Sequence, residues 1–146
     1  DSFAAGTTPV IAAIEGLQLG MSICYDLRFP HLYRQLALDG AQILAVPAAF
    51  TKVSGAAHWH ILLRARAIET GCYVIAPAQC GTHSDGRQTY GHAMIISPWG
   101  EILCEADDGD AVITAQLDIA KITAARRAIP SLNSNAIIGA TRSTGG

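Results

Sequence analysis

Charge is scarce in this chain, and lysine scarcest of all. Lys52 and Lys121 are the only two lysines, and charged residues make up 15% of 146 positions. The formal net charge of −2 gives no reason to expect a nucleic acid or an anionic membrane as partner. No apolar run approaches the length that crosses a bilayer, and the opening residues hold no basic region followed by an apolar one. The four cysteines, Cys24, Cys72, Cys80 and Cys104, are widely and irregularly spaced. They fit neither a disulfide framework nor a CxxC metal site. These absences predict no membrane association, no metal, no cofactor and a reducing, cytoplasmic setting. What remains is half apolar, enough for one domain with a sizeable core. Many small apolar residues with so little charge also suggest a substantial buried contact, such as a subunit interface.

The chain is organised around residues 16–30, Gly-Leu-Gln-Leu-Gly-Met-Ser-Ile-Cys-Tyr-Asp-Leu-Arg-Phe-Pro. Leu17, Leu19, Met21 and Ile23 alternate with Gln18, Gly20, Ser22 and Cys24, the period of a strand with one apolar face. Cys24 then points away from the face expected to be buried. The cluster from Tyr25 to Pro30 breaks the pattern, so Cys24 falls where a strand passes into a loop. A thiol there can be reached by a small molecule and approached by backbone N–H groups, as nucleophilic catalysis requires. Free cysteine also packs as a small hydrophobe, so position alone leaves both roles open.

Along the chain, Val10–Ile14 reads as a short strand that Gly16 turns into the next, a hairpin-like pair. Residues 31–39 have helical spacing with Gly40 as C-cap, and 43–46 form a short buried strand stopped by Pro47. Residues 51–55 read as loop. His58–Thr70 is the strongest helix, with Trp59, Leu62, Leu63, Ala67 and Ile68 as a broad apolar face and Gly71 at its end. Residues 72–76 are another buried strand, and 81–90 a polar loop. The segments 92–96 and 102–105 flank Pro98-Trp99-Gly100 as a hairpin. Residues 107–109 form a turn, 111–117 alternate weakly as a strand, and Asp118 can cap a helix over 119–128. From Pro130 onward the composition suggests an extended or frayed tail. The order is that of a layered α/β protein.

The remaining candidates for chemistry are few. His58 is the best placed of five histidines to serve a Cys–His hydrolase, although His58 and His60 at a helix start can equally be solvated. His58-x-His60 without a third clustered ligand is weak evidence for a metal. Arg28, four residues after Cys24, can bind a substrate carboxylate bidentately or bridge to Asp26 or another carboxylate. Arg66 and Glu69 are most simply an intrahelical pair. Lys52 lies in a loop after the third strand.

The string Cys24-Tyr25-Asp26-Leu27-Arg28-Phe29-Pro30-His31-Leu32-Tyr33-Arg34 resembles the nucleophile motif of the nitrilase superfamily of carbon–nitrogen hydrolases. The likeness extends through Pro47-Ala48-Ala49-Phe50-Thr51, Gly55, Ala57-His58-Trp59 and residues 63–69. It continues through Gln79-Cys80-Gly81, Tyr90-Gly91-His92 and Pro98-Trp99-Gly100-Glu101. Within the superfamily it looks most like the Nit-type amidases. The resemblance implies an α/β fold, half of a four-layer α-β-β-α sandwich. It also implies a Glu-Lys-Cys set in which the cysteine attacks a small-molecule amide, ammonia leaves, and water cleaves the thioester. Cys24 matches the nucleophile, the backbone N–H of Tyr25 an oxyanion donor, and Arg28 a position that contacts substrate carboxylates. Phe50, Thr51 and His58 would lie near the pocket.

The family's glutamate and lysine precede the cysteine motif, and the positions before Cys24 offer only Asp1 and Glu15, with no lysine. The chain therefore reads as the C-terminal portion of one hydrolase domain: 1–15 a lead-in, 16–129 the core and 130–146 the tail. Alone it would leave one side of a sheet uncovered. The resemblance also implies a homodimer or higher homo-oligomer through helices 31–39 and 58–70, in agreement with the apolar face on Trp59, Leu62 and Leu63. Two other readings stay open: a Cys–His thiol hydrolase using His58 or His92, and a non-catalytic assembly module in which Cys24 is structural.

Overall fold

A computed structural model describes residues 6–107 and 109–134. The strands are β1 (Val10–Ile14), β2 (Leu17–Met21), β3 (Ile43–Ala45), β4 (Tyr73–Ala76), β5 (Cys80–Thr82), β6 (Gln88–Tyr90), β7 (Met94–Ile96) and β8 (Ile102–Glu105). The helices are α1 (Pro30–Leu38), α2 (Lys52–Thr70) and α3 (Ala120–Ala128), with short 3-10 turns at Cys24–Arg28 and Ser131–Asn133. Six strands form one mixed sheet in the order β1-β2-β3-β4-β7-β8, and β5 pairs with β6 separately. β2, β3 and β4 run parallel, joined by α1 and α2, while β1, β7 and β8 are antiparallel additions.

One face of the sheet carries the main core. Leu44, Val46, Val74, Ala76, Met94 and Ile96 project into it, meeting Tyr33 and Leu36 of α1 and Trp59, Leu63 and Ala67 of α2. Small residues on β2 bring α1 close. A Cβ on Gly20 would stand 3.1 Å from Ala41 Cβ and 3.3 Å from Leu36 Cβ. The opposite face carries Leu17, Leu19, Ile43, Tyr73 and Ile75, which cluster with Leu117, Ile119 and Ile122 at the start of α3. Cover there is partial: Val10 and Ile14 are half exposed, as are Met21 at 50% and Ile23 at 64%. The alternation expected in β2 is present, but the face first buried is the small-residue side. Glycine and serine admit a helix where leucine and methionine would hold it off.

Other expectations need correcting. α2 starts at Lys52, so 51–55 is a helix start rather than loop: the Thr51 hydroxyl accepts the Ser54 N–H at 3.3 Å. Lys52 is consequently helical. Gly55 is required by contact, because a Cβ there would come within 2.2 Å of Tyr90 Cβ. The polar stretch 81–90 contains the β5–β6 hairpin. Residues 111–117 alternate in burial but join no ladder among the described residues. α3 starts at Ala120 with Ile119 rather than Asp118 at its N-cap; Asp118, one residue earlier, accepts the Ala120 N–H on Oδ1 at 2.9 Å.

The first residues of the expected tail are fixed, since Arg34 donates to the carbonyls of Ser131, Leu132 and Ser134. The rest of that tail, Asp108 in the expected turn, and the first residues of the lead-in lie outside the described residues. Trp59 and Leu63, expected at a subunit interface, are 1% and 0% exposed within the chain's own core. The outward apolar residues of α2 are instead Val53, Ile61 and Ile68.

Candidate active site

Beyond β2 the chain leaves the sheet through Ser22 and Ile23 and enters the 3-10 turn at Cys24. The Cys24 N–H donates to the Pro47 carbonyl at 2.8 Å, and the residue takes φ +46°. A side chain in the left-handed region costs roughly 1–2 kcal/mol, which the surrounding bonds must offset. They are numerous. Asp26 Oδ2 accepts the Ile23 N–H at 2.9 Å. Ser22 Oγ donates to the Ala45 carbonyl at 2.8 Å and shares a 2.7 Å hydrogen bond with Tyr33 Oη. Tyr33 is fully buried, and burial pushes its phenol up to about 12 despite the Ser22 bond. The thiol of Cys24 is half-buried against the main core.

The turn is fastened to α2 from beneath. Arg66, 4% exposed, donates twice to the Leu27 carbonyl, at 3.1 and 2.9 Å, and once to Glu69 Oε2 at 2.9 Å. The pairing with Glu69 was expected, but the larger role of Arg66 was not. Its signal lies in spacing: Trp59, Leu63, Arg66, Ala67 and Thr70 fall on one helical face, and all are buried. An arginine within an apolar stripe must find acceptors there.

Arg28 leaves the same turn toward α2. Its Nη1 lies 3.2 Å from His58 Nδ1, and its guanidinium carbon sits 5.1 Å from the Phe50 ring centroid and 5.5 Å from that of Tyr25. Among the described residues no carboxylate lies within salt-bridge distance of Arg28; Asp26 is instead turned to Ile23. Phe50 is held in turn by Trp59, 4.9 Å between ring centroids, and the Trp59 indole donates to the His92 carbonyl at 2.8 Å.

Cys24, Tyr25, Arg28, Phe50 and His58 thus belong to one neighbourhood at the ends of β2 and β3. Thr51 adjoins it as the cap of α2, bridged to Thr89 of β6. An open depression of about 980 Å³ flanks the turn, lined by Thr8, Met21, Ile23, Asp26, Phe29 and Pro47 among others; Cys24 does not line it. His58 and His92 bond to Arg28 and Glu105 respectively, and no Cys24–histidine hydrogen bond occurs among the described residues.

A mixed sheet backed by helices, with one strand ending in a strained cysteine turn beside a guanidinium, defines an α/β protein with a candidate nucleophile. The chain belongs to the carbon–nitrogen hydrolase family, whose profile matches residues 2–127. It is 54% identical over 114 residues to a deaminated glutathione amidase of Synechocystis, covering 78% of this chain and 42% of that protein. Its backbone superposes on Nit3 of Saccharomyces cerevisiae, a nitrilase-superfamily member. That match has a TM-score of 0.84 and 34% identity, covering 90% of this chain and 48% of the other. A glutamine variant of the amidase from Nesterenkonia sp. AN1 also matches, with a TM-score of 0.73 and 31% identity, covering 86% and 48%. That structure carries the acetamide moiety of fluoroacetamide on its active-site cysteine. The chain spans less than half the length of these relatives.

Proposed function

We propose that this chain supplies the nucleophile portion of an amidase that hydrolyses the C–N bond of a small carboxylate-bearing amide. The observation that carries this reading is the Cys24 turn, with φ +46° and the Arg28–Phe50–His58 group beside it. Cys24 Sγ attacks the amide carbonyl carbon, and the tetrahedral oxyanion takes a hydrogen bond from the Tyr25 N–H. The C–N bond breaks, ammonia leaves with the proton it gains, and the acyl group remains as a thioester. Water then attacks the thioester, releasing the acid and restoring the thiol. Arg28 binds the substrate carboxylate, with Phe50, Thr51 and His58 shaping the pocket around it.

The positive charge of Arg28 suits that task. It is held by two aromatic faces and one imidazole, and a carboxylate can approach without displacing a counter-ion. The family's glutamate and lysine would come from polypeptide corresponding to the part of the relatives that this chain does not span. The chain is then the C-terminal portion of one domain, and the apolar strip of Val10, Ile14, Met21 and Ile23 is the surface that part would cover. The enzyme would work in the cytoplasm as a homodimer, with Ile61 and Ile68 of α2 among the outward residues at the subunit contact.

Ammonia release from a panel of ω-amides and deaminated glutathione tests this reading. It is measured on the chain, on the chain combined with the complementary half of the Synechocystis relative, and on both with Cys24→Ala. Release that needs both the second half and Cys24 is expected. Release from the chain alone would mean that its base and cation lie within these residues. Release indifferent to Cys24→Ala would overturn the assignment.

A further inference from the structure

Three side chains from three elements converge on one point that the proposed amidase chemistry does not use. His60 Nε2 from α2 and His92 Nδ1, just before β7, each lie 2.7 Å from Glu105 Oε1 at the end of β8. The ligand atoms of the three all fall within 4.8 Å of one another. We propose that His60, His92 and Glu105 bind a divalent transition-metal ion of the zinc class. Two imidazole nitrogens and one carboxylate oxygen form a donor set that such ions accept, leaving a fourth position for water. The inference does not depend on the amidase reading.

The set is assembled in advance. His92 takes φ +58°, a conformation that an L-residue keeps only when its surroundings impose it. Its carbonyl accepts the Trp59 indole N–H at 2.8 Å, and its ring stacks on Tyr90 at 4.2 Å between centroids. His60 sits on the long helix, one residue past that tryptophan. Both imidazoles converge on the same Glu105 oxygen, so the three donors already face one point. His92 also lines an open depression of about 450 Å³ with Cys80, His83, Asp107 and Asp110, a route for a hydrated cation with acidic residues along it.

Zinc bonds of about 2.0–2.1 Å in a tetrahedron place donor atoms about 3.3 Å apart, so the 2.7 Å contacts must open by about 0.6 Å. The two imidazole nitrogens, within 4.8 Å of each other, must come to that same separation. The ion takes the place of the protons now shared between the imidazoles and Glu105. Coordination uses lone pairs on His60 Nε2 and His92 Nδ1, whose protons move to the other ring nitrogens or to water. No oxidation state changes.

The experiment titrates the full chain with zinc against a chromophoric chelator, beside Glu105→Gln, His60→Gln and the triple variant Cys24→Ala, Cys80→Ser, Cys104→Ser. One ion per chain is expected. Affinity should fall at least about tenfold, the loss caused by removing even outer partners of a metal, in both cluster variants and stay unchanged in the cysteine variant. Zinc should also shift the imidazole 15N resonances of His60 and His92 in the unmodified chain, a readout that needs no variant to fold. Absence of stoichiometric binding, equal binding by the cluster variants, loss confined to the cysteine variant, or unmoved His60 and His92 resonances would overturn the proposal.

Discussion

Arg28 Nη1 lies 3.2 Å from His58 Nδ1, joining the cysteine turn to the second helix across a sequence separation of 30. Arginine has no lone pair to offer, so Arg28 donates and His58 Nδ1 accepts. An imidazole steers the guanidinium without bringing a negative charge to it. In the assembled enzyme, Arg28→Ala should remove charge-assisted hydrogen bonds worth about 1.5–3 kcal/mol, or roughly 10- to 100-fold in kcat/KM, for carboxylate-bearing amides. Neutral amides of similar size should lose far less. Steady-state kinetics on matched substrate pairs makes the comparison, and an equal loss on both would remove Arg28 from the carboxylate site.

Gly55 offers a test in which two effects oppose each other. Alanine in place of a helical glycine gains about 1 kcal/mol in propensity. A Cβ at that position would stand 2.2 Å from Tyr90 Cβ, and relieving such overlap costs about 1–3 kcal/mol or more. Tyr90 is pinned, its N–H donating to the Phe50 carbonyl at 3.0 Å, so the overlap should win. Thermal unfolding of Gly55→Ala should therefore show a lower Tm than the parent chain.

Tyr33 gives the stability a pH signature. Burial raises its phenol from 10.0 to about 12 in the folded chain. Between those values the folded state holds a proton that the unfolded state has released. The stability that this proton represents is complete below pH 10 and is lost as pH rises toward 12. The loss approaches about 3 kcal/mol, at roughly 1.4 kcal/mol per pH unit. Urea unfolding across this window should show that decline in the parent chain and a shallower one in Tyr33→Phe.

The sequence made most of the sheet visible. The alternation from Leu17 to Ile23, the short apolar runs before Pro47 and Pro77, and the turns at Gly16 and Pro98–Gly100 mark strands through period and punctuation, which are local properties. The α2 start was hidden because Thr51, Ser54 and Gly55 look like turn residues. Their meaning lies in a cap and a helix–strand contact that only the folded chain contains. Cys24 was legible by position, whereas its left-handed backbone was not, since the Pro47 carbonyl holding it comes from the loop that follows β3. The His60–His92–Glu105 cluster is hidden for the same reason: His60 pairs in sequence with His58, while its spatial partners are His92 before β7 and Glu105 at the end of β8.

The uncovered face makes a separate prediction. Ile23 is 64% exposed, so Ile23→Asp should change the stability of this chain by no more than about 0.5 kcal/mol. The same change should prevent productive assembly with the complementary half of a relative, because it would bury an unpaired carboxylate between two apolar sheet faces. Chemical denaturation and size-exclusion of the mixed halves read the two effects independently.

Treating the assembled enzyme with fluoroacetamide and mapping the adduct by peptide mass spectrometry tests Cys24 most directly. Alkylation forms a carbon–sulfur bond and releases fluoride, a displacement that an activated thiolate favours. The account predicts an acetamide adduct on Cys24, with Cys80 and Cys104 unmodified and ammonia release lost in proportion. An unmodified Cys24 in an enzyme that still releases ammonia, or inactivation that tracks another cysteine, would contradict it.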